Sequence, residues 1–118
     1  MIKLPDTLQE IFDIVSTHLL KQNARSINHE GTCMYRGDNG LKCAAGVLIP
    51  DDQYKKDFEF SSWATLSREQ LVSSSFCEEI WDLQKIHDNS LISDWPLRLK
   101  QFAEKHNLKF NCPISPSR

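Results

Sequence analysis

Residues 31–54 read GTCMYRGDNGLKCAAGVLIPDDQY, and this stretch holds all four glycines of the chain and two of its four cysteines. Within it, Thr32 to Arg36 alternates in polarity. Gly37-Asp38-Asn39-Gly40 has the composition of a tight turn, because its central pair tolerates the positive φ angles that hairpin turns need. A small β-hairpin is therefore expected here. With Asp38 and Asn39 as the loop residues, Met34 falls opposite Cys43 and Cys33 opposite Ala44. That register leaves Cys33 and Cys43 as diagonal neighbours, a poor geometry for a disulfide. Beyond Lys42, the run Cys43 to Ile49 either extends the second strand or opens a short buried helical turn. Ala44 and Ala45 favour the turn and Pro50 ends it, while Gly46 marks a close approach of backbone.

Toward the N-terminus, Leu8, Ile11, Phe12, Val15 and Leu19 share one helical face, so Thr7 to Gln22 is expected as a helix. Thr7 with Glu10 fits a capping box, and Ile14 and Leu20 widen the apolar stripe. Asn23 to Glu30 loses the period and serves as a connection. Asp51 to Phe60 is mixed in charge and reads as irregular, anchored by Tyr54, Phe58 and Phe60. Toward the C-terminus, Ser67 with Gln70 opens a second helical region whose stripe is Val72, Phe76, Ile80, Leu83 and His87. Ser73-Ser74-Ser75 is poor helix material within it, so a short helix followed by a longer one is the other reading. A last helix is expected from Ser93 or Asp94, with Pro96 in its first turn and Trp95, Leu99, Phe102, Ala103 and His106 on the buried side. The fold class is thus mainly α, with three to four helices packed around one small β-hairpin. Residues 1–110 are expected as a single compact domain and residues 111–118 as a mobile tail.

A chain of 118 residues suits one core. Apolar residues at 40% and charged residues at 25% place it among globular chains and not disordered ones. A formal charge of −2 and a pI near 6.0 argue against a general nucleic-acid binder, which carries a basic excess. No window approaches the ~18 consecutive apolar residues of a membrane span, and MIKLPDTLQE has no signal-peptide pattern. A cytoplasmic protein with free thiols at Cys33, Cys43, Cys77 and Cys112 is the expectation.

Three groups of residues carry candidate chemistry. His29, Cys33, Cys43 and the distant His87 or Cys112 bring zinc to mind, but their spacing matches no standard knuckle or ribbon, so no metal and no cofactor is expected. Cys43 is a candidate nucleophile: amide groups of a helical turn and the adjacent Lys42 favour a thiolate, with His87 as base and Asp88 as orienting group. Against it, adjacent residues serve each other poorly, and His87 lies on an apolar stripe. Third, Tyr35, Arg36, Asp38, Asn39 and Lys42 gather at the hairpin tip, where polar groups on a rigid turn meet a partner well. Charge adds a further pattern. Glu78, Glu79, Asp82 and Asp88 make one helix acidic, while Arg98, Lys100, Lys105 and Lys109 make the next region basic, so the two are expected to complement each other within the domain or to dock an oppositely charged protein.

Cys33-x-Tyr35-Arg36, then Gly40-Leu41-Lys42-Cys43-Ala44-x-Gly46-x-Leu48-Ile49-Pro50-Asp51, resembles a family of small phage and prophage proteins without assigned activity. The likeness extends to His18-Leu19-Leu20, to Leu83-Gln84-x-Ile86-His87-Asp88, and to Trp95 with the helix after it. The resemblance implies a phage setting and a host-cell cytoplasm, and it supplies no catalytic residues. Its members often carry another cysteine at the position of Val47. Small phage proteins commonly act by binding host machinery, defence systems included. The expected function is therefore a non-catalytic binding protein that modulates or inhibits a host or phage protein. A small cysteine-dependent enzyme using Cys43 and His87 and a phage structural or assembly accessory protein are the alternatives.

Overall fold

Thr7 starts the first element as its spacing to Glu10 predicts. In the computed structural model of the chain, which describes residues 1–110, the Thr7 hydroxyl accepts from the Glu10 N–H at 3.1 Å and donates to its carboxylate at 3.0 Å. Helix α1 then spans Leu8–Gln22 and ends at Asn23, a left-handed residue whose N–H returns to the Leu19 carbonyl. Ile11, Phe12, Val15, Leu19 and Leu20 are buried, whereas Ile14 is exposed. The tail assigned to residues 111–118, with Cys112, lies outside the described residues.

Three more helices follow: α2 (Trp63–Arg68), α3 (Cys77–Asn89) and α4 (Trp95–Lys105). Short 3-10 turns link them, at Gly46–Leu48, Asp51–Gln53, Lys56–Phe60 and Ile92–Asp94. Among the described residues the chain is a mainly helical single globule with four helices, as expected in class. The segment preferred as turn after Cys43 is indeed turn, and α4 carries Pro96 in its first turn.

The helical region expected from Ser67 is rearranged. Ser62, and not Ser67, caps α2 by accepting from the Thr65 N–H. Gln70 takes a left-handed φ of 62° instead of acting as a capping partner. The chain then runs extended because its backbone is claimed elsewhere: the Ile2 N–H donates to the Leu71 carbonyl at 2.8 Å, and the Ser73 N–H donates to the Ile2 carbonyl at 3.0 Å. This pairing seats Val72 in the core, and the Ser73 hydroxyl accepts from the Ser75 N–H. Propensity yields to a tertiary backbone pairing, and α3 begins only after Phe76.

The β-hairpin is a correction as well. No strand forms among the described residues; residues 31–42 carry only isolated bridges, Ile27 with Cys33 and Arg36 with Lys42. The Arg36–Lys42 pairing differs by one residue from the expected register, because Asp38–Gly40 forms a 3-10 turn with Asn39 at φ 62° and widens the loop. The reversal instead wraps around Ser26, which is fully buried. Its carbonyl accepts from the Met34 N–H, and its hydroxyl lies 2.7 Å and 3.1 Å from the Met34 and Leu41 carbonyls. Side-chain and loop partners thus satisfy backbone that a sheet ladder would have paired.

The core sits between α1, α3 and α4. Phe12 stacks on Phe102 with ring centroids 5.6 Å apart, and Trp95 lies over the His87 ring at the same separation. Each fully buried apolar side chain contributes about 1.5–3 kcal/mol by leaving water. The glycine of the Gly46–Leu48 turn passes so close to residue 35 that a Cβ on Gly46 would stand 2.2 Å from the Tyr35 carbonyl oxygen. This is the close approach its sequence context implied.

Candidate functional site

Residues 32–46 are held in place by side chains reaching in from outside them. Gln22 at the end of α1 accepts from the Lys42 N–H and donates to the Lys42 carbonyl, mimicking a strand partner. His18 Nε2 lies 2.8 Å from the same carbonyl. From α3, the Gln84 side chain accepts from the Ala45 N–H at 2.9 Å. From the 3-10 turn at 56–60, the Glu59 carboxylate accepts from the Tyr35 and Arg36 N–H groups, at 2.9 Å and 3.0 Å. These clamps leave a cavity of about 160 Å³ between the loop, the start of α2 and the outer side of α3. Cys33, Tyr35, Trp63, Trp81, Gln84 and Asp88 are among its lining residues. Trp81, Gln84 and Asp88 reach it together because spacings of three and seven bring residues to one helical face.

The sulfur grouped with His87 and Asp88 is that of Cys33, not Cys43: one ligand-type atom from each of the three lies within 4.8 Å of the others. The Cys43–His87–Asp88 arrangement expected for a nucleophile is not assembled. Cys43 is buried, its sulfur accepts from the Gly46 N–H at 3.2 Å, and burial pushes its thiol up to about 12. The helical-turn amides lower it less than burial raises it. Cys33 is pushed up to about 11, first by burial and then by the Asp88 charge. His87 has no free nitrogen: Nε2 accepts from the Ser26 N–H at 2.9 Å, which puts its proton on Nδ1, 2.7 Å from Asp88 Oδ1.

The same two bonds decide the metal question for this cluster. A divalent ion bound at Nδ1 would displace that proton to Nε2, where it would face the Ser26 N–H, donor against donor. The cluster is a hydrogen-bonded brace, with Gln84 Nε2 donating to Asp88 at 2.8 Å, and its donor set does not fit zinc. His29 is exposed and outside the group.

The tip residues separate. Tyr35 is buried, with its hydroxyl donating to the Ser61 carbonyl, and burial followed by nearby negative charge raises its phenol above the ordinary range. Arg36 turns inward: its guanidinium donates to the Gly46 and Ile49 carbonyls, each at 2.7 Å, pairs with Asp51 at 3.0 Å and lies 5.0 Å from the Tyr54 ring centre. Lys42 joins the same carboxylate at 3.1 Å, and the two cations hold Asp51 below the usual carboxylate range. Of the five residues assigned to the tip, only Asp38 and Asn39 are exposed.

What sequence reasoning missed on the acidic helix α3 is the part played by Trp81. Trp81 is 45% exposed and lines two cavities at once, the one above and a second formed with Ser62, Ala64, Cys77 and Glu78. Its position off the buried stripe of α3, with Asp88 seven residues on, was the available signal. Lys85 stands 6.0 Å from its ring centre and pairs with Asp82. The expected charge complement between α3 and α4 is not built as ion pairs: among the described residues, none joins the two helices. Comparisons with protein-family models, with curated proteins and with solved structures find no match.

Proposed function

We propose that this chain is a non-catalytic, phage-type binding protein that modulates or inhibits a host protein, such as one of a defence system, in the host cytoplasm. It docks through the outer face of α3 and not through the turn at residues 36–42. The observation that carries this reading is Trp81, a large indole left 45% exposed between two cavities on a helix whose acidic side chains have no ion-pair partner on α4. Exposed tryptophan anchors are the residues most often found at the energetic centre of protein interfaces, and an acidic surround steers a basic partner. The buried, protonated Cys43 and the doubly bonded His87 favour binding over thiol catalysis. No helix is long and apolar enough to cross a membrane among the described residues.

Affinity capture from infected-cell extract, run side by side with wild type and Trp81→Ala, tests the reading. A partner retained by wild type and lost with Trp81→Ala is the expected result. Equal recovery by both proteins would move the interface elsewhere. Turnover of a substrate that depends on Cys43 would replace binding with catalysis.

A further inference from the structure

The cavity beside α3 has two charged side chains in its lining, Glu59 and Asp88, and both are acidic. Both Glu59 oxygens are engaged, since they accept from the Tyr35 and Arg36 N–H groups and from the Tyr54 hydroxyl. Asp88 differs. Its Oδ1 takes the His87 and Gln84 donors, while its other oxygen receives no N–H or O–H from the described residues; the Cys33 thiol also hydrogen-bonds to the carboxylate, as a weak donor. The Asp88 side chain is 29% exposed, so the carboxylate is reachable. Its field is felt around the cavity: after burial, it contributes to raising the Cys33, Tyr35 and Cys43 groups. Aromatic rings complete the walls, Tyr35 and Trp63 inside and Trp81 at the exposed edge. Lys85 stands 6.0 Å from the Trp81 ring centre and is paired with Asp82.

A carboxylate with an oxygen that takes no N–H or O–H donor, aromatic walls and no positive lining residue select a cation. The volume of about 160 Å³ has room for a side-chain head group. We propose that this cavity receives an arginine guanidinium of the partner protein, ion-paired with the Asp88 carboxylate and stacked on Trp81. The inference rests on the binding function proposed above. Arginine fits better than lysine because a guanidinium is planar, stacks on an indole and sheds its hydration more easily than an ammonium.

Titration of N-acetyl-arginine amide into the full chain, followed by the indole and backbone NMR resonances, tests this. Saturable shifts at Trp81 and across residues 84–88 are expected. The uncharged N-acetyl-citrulline amide, of the same shape, should bind about tenfold more weakly or worse. Trp81→Ala, which removes no part of the core, should weaken arginine binding by a similar factor, and Asp88→Asn should do the same in spectra that still show the folded chain. Absence of saturable shifts, equal binding of the citrulline amide, tighter binding of N-acetyl-lysine amide, or indifference to Trp81→Ala would each overturn the assignment. The two proposals separate cleanly. A partner lost with Trp81→Ala but no arginine binding leaves the docking face and removes the guanidinium site, whereas arginine binding with undisturbed partner capture removes the docking face and, with it, the partner as the source of the guanidinium.

Discussion

The backbone N–H of Ser26 donates to His87 Nε2 across 2.9 Å, while the Nδ1 of the same ring sits 2.7 Å from Asp88. Both faces of the imidazole edge are committed, and Trp95 covers its plane. A histidine placed this way ties the connection after α1 to α3 and leaves no lone pair for a base or a metal. His87→Ala is therefore expected to lower stability by about 3–4 kcal/mol, from the cavity and the orphaned Ser26 N–H together. Denaturant unfolding measures this, and addition of zinc should leave the wild-type midpoint unchanged. A variant of undiminished stability, or a zinc-dependent rise, would return His87 to functional chemistry.

Arg36 is expected to behave as a structural clamp. Arg36→Ala strands the Gly46 and Ile49 carbonyls and removes one of the two cations on Asp51, at a cost of about 3 kcal/mol. Lysine should rescue only part of this, because its point charge cannot span two carbonyls. Asp38→Ala, on the exposed turn, should stay within about 0.5 kcal/mol of wild type. Equal stability of the Arg36 and Asp38 variants would restore the tip as a binding surface.

Gly46 admits no side chain. A Cβ there would press on the backbone of Tyr35, with the carbonyl oxygen at 2.2 Å, and backbone cannot swing away as a flexible side chain does. Gly46→Ala should cost about 3 kcal/mol or more, read as a lowered thermal midpoint. A midpoint within error of wild type would mean that residues 35 and 46 separate easily.

Alkaline pH should weaken the fold. The Cys43 thiol has an ordinary value of 9.0 and is held up to about 12 by burial. Between these values the unfolded chain has lost a proton that the folded chain keeps, so stability is full below about 9 and falls as pH rises toward about 12. Cys33 acts in the same direction up to about 11. Thermal midpoints across this range should decline less steeply for Cys43→Ala than for wild type, compared at equal starting stability. At neutral pH, both native thiols should react with a thiol reagent more slowly than a free cysteine. A fast-reacting Cys43 would contradict its burial.

Local patterns determined much of the helical frame. Thr7 and Glu10 marked the start of α1, Pro96 marked the first turn of α4, and the apolar periods chose the residues each helix buries. These features need only near neighbours along the chain, so composition and spacing suffice to read them. Gly46 was legible for the same reason, as an unusual residue in an apolar run. The tertiary structure alone decided the rest. Ile2 pulled Leu71 to Ser73 out of a helix, Ser26 and Glu59 took the backbone groups that a hairpin would have paired, and Arg36 turned from the surface to the Gly46 and Ile49 carbonyls. Each of these depends on a donor and an acceptor that meet only once distant segments are packed together. The cavity of Trp81 and Asp88 belongs to that second class: its residues come from three separate parts of the chain, and spacing within any one of them does not reveal the face that the others complete.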